Sequence, residues 1–122
     1  MRKEDNSTGI GIAIDLGTTT IVGASVDIEG GRVLGTVARL NPQVRLGRDV
    51  LARINAARDG DILRELCKDA VDACNGIIGG LVASTEDIRE ITVAGNPAME
   101  HLFLGISPEP LSRVPYLSLI HI

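Results

Sequence analysis

The residues best suited to chemistry stand together near the N-terminus, in Asp15-Leu16-Gly17-Thr18-Thr19-Thr20. Gly17 lets the backbone turn tightly and approach a ligand with no Cβ in the way. Successive backbone N–H groups in such a turn form a concavity for anions, and the hydroxyls of Thr18, Thr19 and Thr20 add donors. Asp15, just before the turn, is placed to hold Mg²⁺ through the ion's own waters, because Mg²⁺ dehydrates reluctantly. The ligand that suits this set is a nucleotide's phosphates with their metal. An ordinary hairpin is the plain alternative, with Thr serving β propensity and Asp the turn. The setting between two strands favours the phosphate reading.

Gly95-Asn96 is the second candidate. It follows a short apolar run, where open α/β sheets place ligand-contacting turns, and a simple turn with a helix cap explains it equally well. The stretch from Asn41 to Asp49, with Arg45, Arg48 and Asp49, either lines a cleft or is a solvated loop. His101 has no identifiable carboxylate partner, so it reads as a surface or packing residue rather than a base.

These groups need elements to hold them. Ile10, Ile12 and Ile14 alternate with Gly11, Ala13 and Asp15, a period of two that predicts a strand over Gly9 to Leu16 with one nearly bare face. Thr20 to Ile28 predicts a second strand, joined to the first through Gly17-Thr18-Thr19. Glu29-Gly30-Gly31-Arg32 turns the chain into a third, Val33 to Leu40, which Asn41-Pro42 closes. Val50, Leu51, Ile54 and Ala57 then mark a short amphipathic helix. Asp61 is the expected N-cap of a longer one, whose stripe is Leu63, Leu66, Ala70, Cys74, Ile77, Ile78 and Leu81, with Gly79-Gly80 weakening its end. Glu90 to Ala94 predicts a fourth strand, Met99 to Leu104 a last helix after Pro97, and Gly105 its stop. The order βββααβα makes the chain α/β and opens a ribonuclease H-like sheet.

Composition narrows the function. Twelve basic against sixteen acidic residues give a net charge of −4, which disfavours nucleic acid as a partner. Phe103 and Tyr116 are the sole aromatics, so base stacking is a poor reading. Cys67 and Cys74 lie seven apart in a helical pattern without a CxxC, and read as buried apolar side chains rather than cluster or zinc ligands. No stretch reaches the ~20 apolar residues of a membrane span, and Met1 to Thr8 is a polar lead (residues 1–8) rather than a leader, so a cytoplasmic setting is expected. Leu117 to Ile122 (residues 117–122) look like a translated sequencing adapter, and on that expectation the chain proper is a fragment covering residues 9–116.

The run Gly11-Ile12-Ala13-Ile14-Asp15-Leu16-Gly17-Thr18-Thr19-Thr20 resembles the first phosphate motif of the acetate and sugar kinase, heat-shock chaperone and actin superfamily (ASKHA). Leu40-Asn41-Pro42-Gln43-Val44-Arg45-Leu46-Gly47-Arg48-Asp49-Val50 and Val93-Ala94-Gly95-Asn96-Pro97-Ala98-Met99-Glu100-His101-Leu102-Phe103-Leu104-Gly105 resemble one branch of it, the reductive activators of corrinoid-dependent enzymes. The resemblance runs from about Gly9 to Tyr116. It implies an actin-like ATPase fold in which Asp15 helps hold Mg²⁺ while Gly17 to Thr20 wrap the phosphates of ATP. It also implies an upstream ferredoxin-like domain with a 2Fe-2S cluster, and ATP-driven electron transfer to the cob(II)amide of a corrinoid protein or corrinoid-dependent methyltransferase. A homodimer is a further arrangement it allows. The second phosphate motif and the adenosine motif would lie downstream, so this piece by itself is not expected to be active. Three other functions stay open at this point. A sugar or acid kinase would want a carboxylate near Gly95-Asn96-Pro97, where none stands. A non-catalytic actin-like switch is neither favoured nor excluded. A nuclease needs clustered carboxylates, and Asp15 alone is well placed.

Overall fold

A computed structural model describes residues 9–112. Three strands form a meander: β1 (Ile10–Leu16), β2 (Thr20–Asp27) and β3 (Arg32–Leu40). After a short α-helix and a long one comes β4 (Ile88–Gly95), which lies parallel to β1. The sheet order is β3-β2-β1-β4, as expected of a ribonuclease H-like opening. Leu16 pairs with Ile21 across the hairpin and with Gly95 on the other side, so the first turn and the end of β4 share one sheet edge.

Side-chain alternation divides the sheet into unlike faces. Ile12, Ile14, Leu16 and Ile21 point into the core and are 3% exposed or less. Gly11, Ala13, Asp15, Val22, Ala24, Thr92 and Ala94 take the opposite face, the bare one in the sequence. Among the described residues, all helices sit on the core side.

The helices are α1 (Val50–Ala56), α2 (Gly60–Leu81) and α3 (Pro97–Phe103). In α2 the stripe Leu66, Ala70, Cys74 and Ile77 is buried, while Leu63, Ile78 and Leu81 flank it half-buried. Burying Leu66 and Ile77 alone is worth about 1.5–3 kcal/mol each. That offsets roughly 1 kcal/mol for each interior glycine, which is why α2 runs on through Gly79 and Gly80 to Leu81. The helix comes down onto β2 at Gly23, where an added Cβ would stand 2.3 Å from Ile77 Cγ2.

Two expectations need correction. The α2 N-cap is Asp59, whose carboxylate accepts from Asp61 and Ile62 N–H at 2.8 and 3.2 Å. Asp61 falls in the first turn and pairs with Arg64, because the helix begins at Gly60. In α1, Leu51 is 69% exposed and Arg53 is fully buried, so a polar residue takes an inward position that periodicity assigns to an apolar one. Gly105, at φ 73°, ends α3 as expected. Residues 1–8 and 113–122, including the adapter-like tail and Tyr116, lie outside the described residues. Among the described residues, no helix is long and apolar enough to cross a membrane.

Candidate functional site

Asp15 sits near the C-terminal end of β1, exposed on the open face of the sheet. Among the described residues its carboxylate has no hydrogen-bond or ion-pair partner. The floor beside it is made of small side chains, Ala13, Ala24, Thr92 and Ala94, with Val22. They leave an open depression of about 320 Å³. A hydrated cation needs such room, and a carboxylate free of partners can accept from its waters. No group of three or more His, Cys, Asp or Glu gathers to hold a metal among the described residues, so a cation here would keep most of its water. Depressions of about 380 and 440 Å³ lie at the other end of β1; the first holds Asp27 and Asp87, which repel phosphate, and the second holds Glu29 and Glu90 with Arg89, so carboxylates outnumber the cation there.

The turn after Asp15 is tight. Gly17 N–H donates to the Asp15 carbonyl at 3.1 Å, and an added Cβ on Gly17 would stand 2.3 Å from the Thr20 carbonyl oxygen. Glycine is therefore required by close approach rather than by a positive φ. Thr18 is half-buried, and Thr19 and Thr20 are exposed. Asn96 joins this turn to the end of β4: its Nδ2 donates to Thr18 Oγ1 at 3.3 Å, while its Oδ1 accepts from Met99 N–H at 2.9 Å. The two sequence candidates, Asp15-to-Thr20 and Gly95-Asn96, thus meet at one sheet edge. The helix cap is real, and the same side chain reaches the hairpin.

The Asn41–Asp49 stretch behaves differently from either expectation. Arg45 leaves it to pair with Asp69 at 2.8 Å and Glu65 at 3.2 Å on the outer side of α2, contacts that raise its pKa. Asp49 caps α1 by accepting from Ala52 N–H at 2.8 Å. Arg48 is exposed. Three residues with no buried role expected from sequence, Asn41 (read as the end of β3 and the start of a loop), Gln43 and Arg53, are all buried. Arg53 donates from Nε and Nη2 to the Gly47 carbonyl at 2.9 and 2.7 Å, and from Nη1 to Gln43 Oε1 at 3.0 Å. Burial lowers its pKa, and Asp49 opposes the shift.

His101 Nδ1 lies 2.6 Å from the Pro97 carbonyl, one turn back in its own helix, so it packs locally. Cys74 is buried and its thiol pKa is raised by that burial. Cys67 is half-buried and its Sγ reaches the Phe103 carbonyl at 3.4 Å, pointing toward α3.

Comparison with known proteins gives a consistent picture. The family described as the RACo middle region matches residues 10–121. A corrinoid activation enzyme, RamQ of Eubacterium limosum, is 36% identical over 112 residues, which are 88% of this chain and 19% of that protein. A solved structure of a reductive activator for a corrinoid, iron-sulfur protein superposes with a TM-score of 0.84 at 36% identity. It covers 93% of this chain and 19% of the other. The chain spans about a fifth of the length of each relative.

Proposed function

The chain belongs to the RACo middle region family, and on that premise we propose that it is the phosphate-binding part of an ATP-dependent reductive activator of a corrinoid protein. In the whole protein, a 2Fe-2S cluster on another domain would supply the one electron that reduces cob(II)amide to cob(I)amide, with ATP as the driving force. The partner is a corrinoid protein, in keeping with the names of the two relatives, and a corrinoid-dependent methyltransferase is one form it would take.

One observation carries the reading. Asp15, a carboxylate with no partner among the described residues, stands beside a turn too tight for any side chain at Gly17, and Asn96 ties that turn to β4. Mg²⁺ bound there would supply charge neutralisation for a polyphosphate. Asp15 would hold the ion through water, and the N–H and hydroxyl groups of Gly17 to Thr20 would receive the phosphate oxygens. Among the described residues, the arrangement offers Asp15 as a carboxylate to hold the metal, and hydroxyl and N–H groups as donors to phosphate. Catalysis by this unit would therefore be positioning and charge. Thr18 would be oriented by Asn96.

The test is Mg–ATP binding by calorimetry on the full-length protein, with Asp15→Ala and Gly17→Val. Both variants are expected to lose at least about tenfold in affinity, the cost of roughly one charge-assisted contact. Wild-type affinity in both would end the proposal. Cob(II)amide reduction by the same proteins, with the reduced cluster as donor, should fall in parallel.

A further inference from the structure

We propose that Asn41 is a positioning residue that clamps the phosphate hairpin from beneath and sets the direction of its backbone donors. This deepens the reading above and rests on it for its functional half. Asn41 is 0% exposed and grips the turn at two points. Its backbone N–H donates to the Thr19 carbonyl at 2.7 Å, and its Nδ2 donates to the Gly17 carbonyl at 2.9 Å. In a planar trans peptide the C=O and the following N–H point to opposite sides. Pinning the Gly17 and Thr19 carbonyls toward Asn41 therefore directs the N–H groups of Thr18 and Thr20 away from it.

The clamp is itself held through Gln43. Asn41 Oδ1 accepts from Gln43 N–H at 2.9 Å, which fixes which way round the amide stands. The second Nδ2 hydrogen goes to Gln43 Oε1 at 3.2 Å. Gln43 Oε1 also accepts from Arg53 Nη1 at 3.0 Å, and Gln43 Nε2 donates to the Leu66 carbonyl at 2.7 Å. A continuous buried path thus joins α1 and α2 to the hairpin. Buried amides with all their partners present are rigid, and a missing donor is costly there. A filler role would need volume only; this one needs a donor at Nδ2.

The experiment uses the full-length protein with Asn41→Asp, which keeps the acceptor for Gln43 N–H but has no donor for the Gly17 carbonyl, and Asn41→Ala, which avoids a buried charge. Amide hydrogen exchange is followed without nucleotide, comparing the hairpin (residues 16–21) with α2 as an internal reference, and Mg–ATP affinity is measured alongside. Loss of the Nδ2 bond to the Gly17 carbonyl, common to both variants, predicts at least roughly tenfold faster exchange confined to the hairpin and roughly tenfold weaker Mg–ATP binding. Unchanged hairpin exchange, or exchange that rises equally along α2, overturns the clamp. So does wild-type Mg–ATP affinity in variants of a protein that binds it. If the wild type binds no Mg–ATP yet Asn41→Ala loosens the hairpin alone, the clamp stands and the nucleotide reading falls. Should Asn41→Asp not fold, Asn41→Ala decides by the same criteria.

Discussion

The same chemical change, Gly→Ala, is expected to have opposite signs at two positions, and the difference can be worked from the structure. At Gly17 the new methyl would lie 2.3 Å from the Thr20 carbonyl oxygen, a backbone atom that no rotamer change can move. Relief requires the turn to open by most of an ångström. That stretches the bonds from Asn41 to the Gly17 and Thr19 carbonyls, now 2.9 and 2.7 Å. Overpacking costs about 1–3 kcal/mol, and weakened bonds add to it, so a loss of about 2–3 kcal/mol is expected. At Gly79, exposed on α2, an added Cβ meets nothing within 4 Å. Alanine there restricts the unfolded chain and favours helix, a gain of about 0.5–1 kcal/mol. The assay is urea unfolding of the full-length protein, with pulsed alkylation of Cys74 read by mass spectrometry. Cys74 is buried in this unit's core, so its labelling reports this unit rather than the whole chain. If Gly17→Ala stays within about 0.5 kcal/mol of wild type, below the overpacking range, the steric reasoning is wrong. If Gly79→Ala destabilises, the helix assignment there is wrong.

Two further outcomes follow from single side chains. Asn96→Ala should cost about 1 kcal/mol through loss of the α3 cap, whereas Asn96→Asp keeps the cap but not the donor to Thr18. Stability near wild type with weakened Mg–ATP binding for Asn96→Asp, by urea unfolding and calorimetry, would separate the two roles; equal effects from both variants would refute the separation. Cys74 has a raised thiol pKa because it is buried. The unfolded chain therefore releases that proton at lower pH than the folded one. Its contribution is fully present below the ordinary thiol pKa of about 8.5 and is lost as pH rises through the folded value. Cys74→Ala should flatten the alkaline limb of a stability–pH profile, and an unaltered limb would show that the thiol is not its source.

Much of the fold was legible in the residues because local periodicity reports it directly. The alternation Ile10-Ile12-Ile14, the stripe Leu66-Ala70-Cys74-Ile77 and the stop at Gly105 depend on neighbours in the chain, and each is where the pattern puts it. The hairpin was legible too, since a carboxylate at Asp15 and the donors of Gly17 and three threonines fall within six residues. Their nearness to Gly95-Asn96 rests on the parallel pairing of β1 with β4, a contact some eighty residues apart in sequence that the strand order only implied.

What lay beyond local pattern was decided by packing across elements. No periodicity says that Gly23 is where α2 descends, that Leu51 faces out while Arg53 goes in, or that Asp59 rather than Asp61 begins α2. Asn41, Gln43 and Arg53 look like loop and helix-surface residues when read singly. They become a buried network because β3 ends beside the hairpin and two helices close over the turn that follows. Amino-acid order dictates where a chain can turn and which stripe is apolar. Only the meeting of distant segments decides which polar groups are shut away from water, and therefore which must find partners in one another.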